Sequence, residues 1–244
     1  MKINVIAGDK RYVLLNKLLI AHGFDSRLSD KVEECNALIL PIAHVKDEIL
    51  SSLYLLGENT VIFAGNRDVR KESFSGKIEY YSENEELLNE NARLTAEATI
   101  DLIHNERGIS PYQKKVFISG FGRIGTHLAR MLKCLGADLY VFARRDEIRQ
   151  RARKAGCTPV LLSYSQNCDI IINTVPSIIF TDDVLEEIPE GTLMIDLASA
   201  PGGFERTDRV TVARGLPGKA LYLSAAETIF NAIFPRLSFM RKDI

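Results

Sequence analysis

Apolar positions in the first third of the chain come in short runs set between helical stripes. KINVIAG (2–8), NALILPI (36–42) and TVIFAG (60–65) have the length and branched content of strands buried in a sheet. KRYVLLNKLLIAHG (10–23) instead repeats apolar residues at helical spacing and stops at Gly23, and DEILSSLYL (47–55) predicts a second helix. This alternation predicts a small α/β domain. From Glu85 to about Arg107 there is neither Gly nor Pro, and Leu87, Leu88, Leu94, Ala98 and Leu102 mark one long helix that ends before GISP. At 1.5 Å per residue it is ~35 Å long, enough to carry the chain from one domain to another.

A second series begins at Lys115. KVFISG, DLYVFA, TPVLL, DIIINTV, TLMIDLA and VTVARG predict parallel strands, with helices around 124–135, 146–155 and 182–188 between several of them. Their unbroken Ile and Val runs suit strands covered on both faces. The tail from Leu223 to about Arg241 predicts a helix that folds back onto the first domain. The expected fold is therefore α/β in two domains. Residues 108–218 form a Rossmann-type doubly wound parallel sheet, and residues 1–107, completed by 219–244, form a smaller flavodoxin-like α/β domain that carries the substrate side and the interdomain helix.

Composition narrows the partners. With 46% hydrophobic and 26% charged residues and a net charge of -1, the chain has the make-up of a globular protein and no basic stripe for nucleic acid or a membrane surface. Cys35, Cys134, Cys157 and Cys168 lie far apart, with no CxxC and no His at metal-ligand spacing, so reduced thiols and no metal are expected. The N-terminus lacks a long apolar segment, and IIINTVPSIIF is too short for a membrane span and broken by Pro176. A cytoplasmic protein acting on a small molecule, and a homo-oligomer, is expected.

Gly120, Gly122 and Gly125 form GxGxxG directly after a predicted strand and before a predicted helix. Gly120 permits the turn, Gly122 leaves room for a pyrophosphate and Gly125 lets helix and sheet close up, with Arg123 and Ile124 at the helix start beside the donor N–H groups. About 20 residues on, a strand that binds NAD ends in an acid for the adenosine ribose; here it ends Ala143, Arg144, Arg145. Loss of the acid removes the repulsion of a 2′-phosphate, and two guanidinium groups offer forked donors to it, so NADP fits better than NAD. The competing reading makes both arginines solvated charges at a helix start, next to Asp146 and Glu147. Two later strand ends place Asn173, Thr174 and Pro176, and then Asp196 and Ser199, where nicotinamide or its ribose lies in such sheets; for Asn173 and Asp196 loop capping is the alternative.

GD-x-R at Gly8, Asp9 and Arg11, LILP at 38–41, Asn91 with Thr95 and Glu97, GFGRIG, INTVPS, DLASAPGG and GLPG (215–218) occur in an order that resembles the dipicolinate synthase A-subunit family. The resemblance extends over most of the chain and is densest from 80 to 218. It implies a two-domain plan similar to 2-hydroxyacid and alanine dehydrogenases, oxidation of dihydrodipicolinate to dipicolinate during sporulation, and a partner, the flavoprotein B subunit. The chain departs from the family in a short loop after LILP (AHVKDEIL), in Leu94 before Thr95, in Ala98 after Glu97, and in KALYLSAA after GLPG.

Chemistry adds two candidate catalytic residues. His22, His44, His104 and His127 all precede the later strands that carry the base of hydroxyacid dehydrogenases, so no histidine base is expected. Glu97, matching the family motif, is the candidate base; a solvated helix charge is the alternative. Arg11, just after the first strand, is the candidate clamp for a small dicarboxylate substrate, ahead of Arg93 and Lys219. A dehydrogenase of another small imino or keto acid, and a non-catalytic cofactor-binding subunit of a flavoprotein complex, remain as alternative functions.

Overall fold

A computed structural model describes residues 1–69 and 74–242. The chain divides into two compact units, one made of Met1–Asn91 with Pro217–Ile244 and the other of Ala92–Leu216. Each is built on one fully parallel sheet with interleaved helices.

In the first unit, strands β1 (Lys2–Ile6), β2 (Asp25–Ser29), β3 (Ala37–Ile39), β4 (Val61–Ala64) and β5 (Lys77–Tyr80) lie in the order β2-β1-β3-β4-β5, the flavodoxin-like arrangement. Successive residues alternate between the two faces, so Ile39 and Phe63 join one core while Leu38, Leu40 and Ile62 join the other. Helix α1 (Lys10–Ala21) covers the first face through Tyr12, Leu15 and Leu19. A short α2 (Asp47–Ser51) and a 3₁₀ turn at Leu53–Leu55 cover the second, where a single longer helix is expected from the pattern. Strand β2 escapes the hydrophobic pattern. Its sequence, DSRLS, is polar because it is an edge strand, half exposed and held to β1 by backbone bonds in the register Lys2↔Asp25.

Helix α3 (Glu85–Arg107) links the units, and its 23 residues match the expected span. In the second unit, β6 (Lys115–Ser119), α4 (Arg123–Cys134), β7 (Asp138–Phe142), α5 (Asp146–Lys154), β8 (Thr158–Pro159), β9 (Ile170–Asn173), α6 (Asp182–Glu186), β10 (Leu193–Asp196) and β11 (Val210–Val212) form a sheet in the order β11-β10-β9-β6-β7-β8. Counted within the unit this is the Rossmann order, with its switch point between β6 and β9. The strand expected at TPVLL shrinks to two residues, because Pro159 has no N–H for a ladder and the edge chain turns into a 3₁₀ segment at Leu162–Asn167. A short α7 (Leu216–Lys219) precedes α8 (Tyr222–Lys242), whose Ile229, Phe230, Ile233 and Leu237 pack with α1 in the core of the first unit.

Candidate functional site

Register sets up the site in the second unit. Phe142 pairs with Ser119, Ser119 with Asn173 and Asn173 with Asp196, so four strand ends stand in one row at the carboxyl edge of the sheet. Above this row the glycine turn begins. Gly120 has φ +88°, a conformation that costs a side-chain-bearing residue energy, and a Cβ on it would meet Thr174 Oγ1 at 2.5 Å. Gly125 brings α4 against the turn so closely that a Cβ would lie 2.5 Å from the Gly120 carbonyl oxygen. Gly122 differs from both. Its φ of -80° suits any residue, and among the described residues, its immediate chain neighbours aside, no atom lies within 4 Å of where its Cβ would be. Neither backbone conformation nor packing inside the protein requires glycine there, so the open space in front of the α4 N-terminus is what the missing side chain preserves.

That space belongs to a cavity of about 450 Å³ lined by Gly120, Phe121, Gly122, Phe142, Ala143, Arg144, Arg145, Ile148, Arg151, Val175 and Ile179. Three guanidinium groups and no carboxylate line it. Asp146, adjacent to Arg145 in sequence, is turned elsewhere: its carboxylate accepts from Arg149 Nη2 at 3.2 Å and from Gln150 Nε2 at 2.8 Å. Arg149 also donates to the Ala143 and Arg144 carbonyls at 3.3 and 2.8 Å, tying down the turn that presents Arg144 and Arg145. Among the described residues none pairs with the guanidinium groups of Arg144, Arg145 or Arg151. An apolar slot ending in three free, permanently charged forks suits the adenosine end of a dinucleotide. Arg151 and Arg149 are not in the glycine-turn motif; the signal that finds Arg151 is its i, i+3 spacing from Ile148 on the cavity side of α5.

Asn173 and Asp196 turn their side chains toward each other. Both are essentially fully buried, and their polar atoms brace the strand ends. Ser119 Oγ donates to Asn173 Oδ1 at 2.6 Å, Asn173 Nδ2 donates to Asp196 Oδ1 at 2.7 Å, and Asp196 accepts the Ala198 and Gly203 N–H groups at 3.1 Å each. Gly202 and Gly203 are required by this brace, since a Cβ on either would fall within 2.3 Å of Asp196 or Asn173. Thr174 Oγ1 donates to the Ser119 carbonyl at 2.8 Å, while Pro176 and Ser199 are exposed on the loops the brace supports. Arg123 is exposed and Ile124 half-buried at the start of α4.

The two candidate catalytic residues take other partners. Arg11 is 8% exposed, and its Nε and Nη2 donate to both oxygens of Asp9, the N-cap of α1, at 2.6–3.0 Å. Gly218, the last glycine of GLPG, packs on this pair: its Cβ would meet Arg11 Nε at 2.8 Å. The fork that a substrate carboxylate needs is already filled. Glu97 accepts from Arg93 Nη1 at 2.6 Å and is half exposed. With Ile100, Asp101 and His104 it borders a different, apolar groove against Arg130, Met131, Cys134 and Leu135 of α4, so the structure does not bring it to the glycine-turn cavity.

Residues 82–201 match the D-isomer specific 2-hydroxyacid dehydrogenase NAD-binding domain. Over its full length the chain is 27% identical to the dipicolinate synthase A-subunit of Bacillus subtilis (strain 168), covering 98% of that protein. The chain resembles the dipicolinate synthase A-subunit from end to end. The crystal structure of the dipicolinate synthase A-subunit from Bacillus halodurans superposes with a TM-score of 0.82 at 23% identity, covering 97% of each chain. D-lactate dehydrogenase from Escherichia coli shares the fold more distantly, with a TM-score of 0.66 at 15% identity over 100% of this chain and 98% of that one. The glycine turn thus lies within the stretch that matches the NAD-binding domain of D-isomer specific 2-hydroxyacid dehydrogenases.

Proposed function

We propose that this chain is an NADP-binding oxidoreductase subunit that oxidises dihydrodipicolinate to dipicolinate together with a flavoprotein B subunit. The observation that carries the cofactor choice is the cavity with three guanidinium groups unpaired among the described residues and no acid in its lining, beside a Gly122 whose Cβ would face open space. In this reading Gly120, Gly122 and Gly125 shape the turn, and the N–H groups at Arg123 and Ile124 face the pyrophosphate. Arg144 and Arg145 hold the 2′-phosphate, and Thr174, Pro176 and Ser199 rim the nicotinamide side. Bound there, NADP⁺ supplies a hydride acceptor. Phe121, Val175 and Ile179 keep water from the adenosine slot, and the Asn173–Asp196 brace holds the rim loops in place.

One observation favours a different small keto or imino acid as substrate. The alignment with the Bacillus subtilis protein runs over 290 positions against 244 residues here, so the relative carries segments that this chain lacks. Cofactor titration and turnover test both points. NADPH is expected to bind more tightly than NADH, with Arg144→Asp plus Arg145→Ala erasing the difference at ~1.5–3 kcal/mol per charged hydrogen bond lost. Dihydrodipicolinate with the flavoprotein is expected to outpace a panel of keto and imino acids. Equal affinity for the two cofactors defeats the NADP assignment, and faster turnover of another acid reassigns the substrate.

A further inference from the structure

The cavity at the glycine turn uses only part of the charge gathered beside it. Between Arg144 and Lys154 the chain places six cationic side chains against two carboxylates, although its net charge as a whole is -1. Arg144, Arg145 and Arg151 line the cavity. Arg149 is engaged by Asp146 and by the Ala143 and Arg144 carbonyls. Asp146 is thereby neutralised, and Glu147 is the one carboxylate of the segment left to oppose the remaining cations.

Arg153 and Lys154 have no such task. Neither lines the cavity, and among the described residues none pairs with either side chain. Both are exposed, on a helix whose one buried residue is Ala152. Cations in a last helical turn complement the helix dipole. Here that place is already filled from α4: Lys133 Nζ donates to the Ala155 carbonyl at 3.2 Å, just past the end of α5. Packing and capping therefore require neither residue. Their position suits an action at longer range. Lys154 follows Arg151 by three residues, on the same side of the helix and ~4.5 Å farther along its axis. That offset is well inside the Debye length of ~8 Å at physiological salt, so the potential of the two outer cations adds to that of the three cavity arginines.

We propose that the basic surface of α5 is a steering surface for a phosphorylated dinucleotide: Arg153 and Lys154 draw the incoming anion to the cavity and set its association rate without touching it once bound. The inference rests on the cofactor reading above and adds a kinetic preference to it. A phosphate monoester carries about -1.5 to -2 charges at neutral pH, so the field accelerates NADPH, with its 2′-phosphate, more than NADH. Added salt screens the field and removes most of that difference. The share of the affinity that arises in this way lies in kon, whereas contacts of Arg144, Arg145 and Arg151 with the bound molecule lie in koff.

The test is stopped-flow mixing of the full chain with NADPH and with NADH, followed by nicotinamide fluorescence, at about 10 mM and about 1 M salt, where the Debye length is ~30 and ~3 Å. Across this range kon for NADPH is expected to fall ~10-fold or more, and for NADH by less. Arg153→Glu with Lys154→Glu is expected to lower kon for NADPH ~10-fold at low salt, with koff within about two-fold of wild type and the melting temperature unchanged. Lys154→Gln alone should show the same loss in smaller measure, and Arg153→Lys with Lys154→Arg should keep the wild-type rate. A wild-type kon that salt leaves untouched, a reversed pair that associates at the wild-type rate, or a reversed pair that loses affinity through koff overturns steering while the cofactor reading stands. Absence of NADPH binding to the wild-type chain overturns the cofactor reading and this inference with it.

Discussion

Asn173 and Asp196 end adjacent parallel strands and are joined by a 2.7 Å hydrogen bond from Nδ2 to Oδ1, both essentially sealed from solvent. The pair is a structural brace under the rim loops. Asp196→Ala would strand one of the two Asn173 Nδ2 hydrogens, the other being held by the Val175 carbonyl, and the N–H groups of Ala198 and Gly203, and buried unsatisfied donors cost about 1–3 kcal/mol each. A loss of about 3 kcal/mol or more in urea unfolding is expected; a variant of wild-type stability that merely binds cofactor less well would return Asp196 to the ligand.

The three glycines of the turn are expected to fail in different ways. Gly122→Val should fold normally, because its Cβ meets no protein atom, and should abolish NADPH binding. Gly125→Ala forces a contact with the Gly120 carbonyl and should destabilise the second unit by about 1–3 kcal/mol even without cofactor. Thermal melts with and without NADPH separate the two outcomes.

Arg151 should act on the cofactor's phosphate selectively. Arg151→Ala is expected to weaken NADPH binding about 10- to 150-fold and leave NADH nearly unchanged. Arg149→Ala should weaken NADPH less, since it only releases the turn that presents Arg144 and Arg145. Equal losses for both cofactors in Arg151→Ala would show that it packs against adenine and does not read the phosphate.

Arg11 and Glu97 are expected to behave as structural residues. Arg11→Ala opens a buried contact with Asp9 and Gly218 and should lower stability by about 1–2 kcal/mol with little change in KM. Glu97→Gln should leave kcat within about two-fold of wild type, well short of the ~10²-fold that losing a base costs.

The cysteines should separate by burial. Desolvation pushes Cys35 up to about 11 and Cys168 up to about 12, so their thiolate fraction at pH 8 is about 100-fold or more below that of an ordinary thiol. Labelling of the native protein with a thiol reagent should therefore begin at the exposed Cys134. The unfolded chain ionises these thiols near pH 9 while the fold keeps them neutral. Their contribution to stability is whole below that pH and is lost as pH rises toward about 11, an alkaline loss that Cys35→Ser should reduce in denaturant titrations.

Much of the plan is written locally in the chain. Unbroken apolar runs give the buried strands, a stretch without Gly or Pro gives α3, and GxGxxG after such a run gives the turn, because each depends on residues within a few positions of one another. Even the shift from acid to Arg144 and Arg145 is a local substitution that can be read without coordinates. Tertiary structure decided what depends on partners far away in sequence. The edge strand β2 is polar and forms only because β1 offers it a ladder. Asn173 and Asp196 read in sequence as ligand groups or loop caps; only the register of β9 and β10 sets them side by side. Arg11 and Glu97 read as free charges until folding supplied Asp9 and Arg93. His44 and Asp68, 24 residues apart, carry no motif at all; only the parallel pairing of β3 with β4 brings an imidazole and a carboxylate to 2.8 Å.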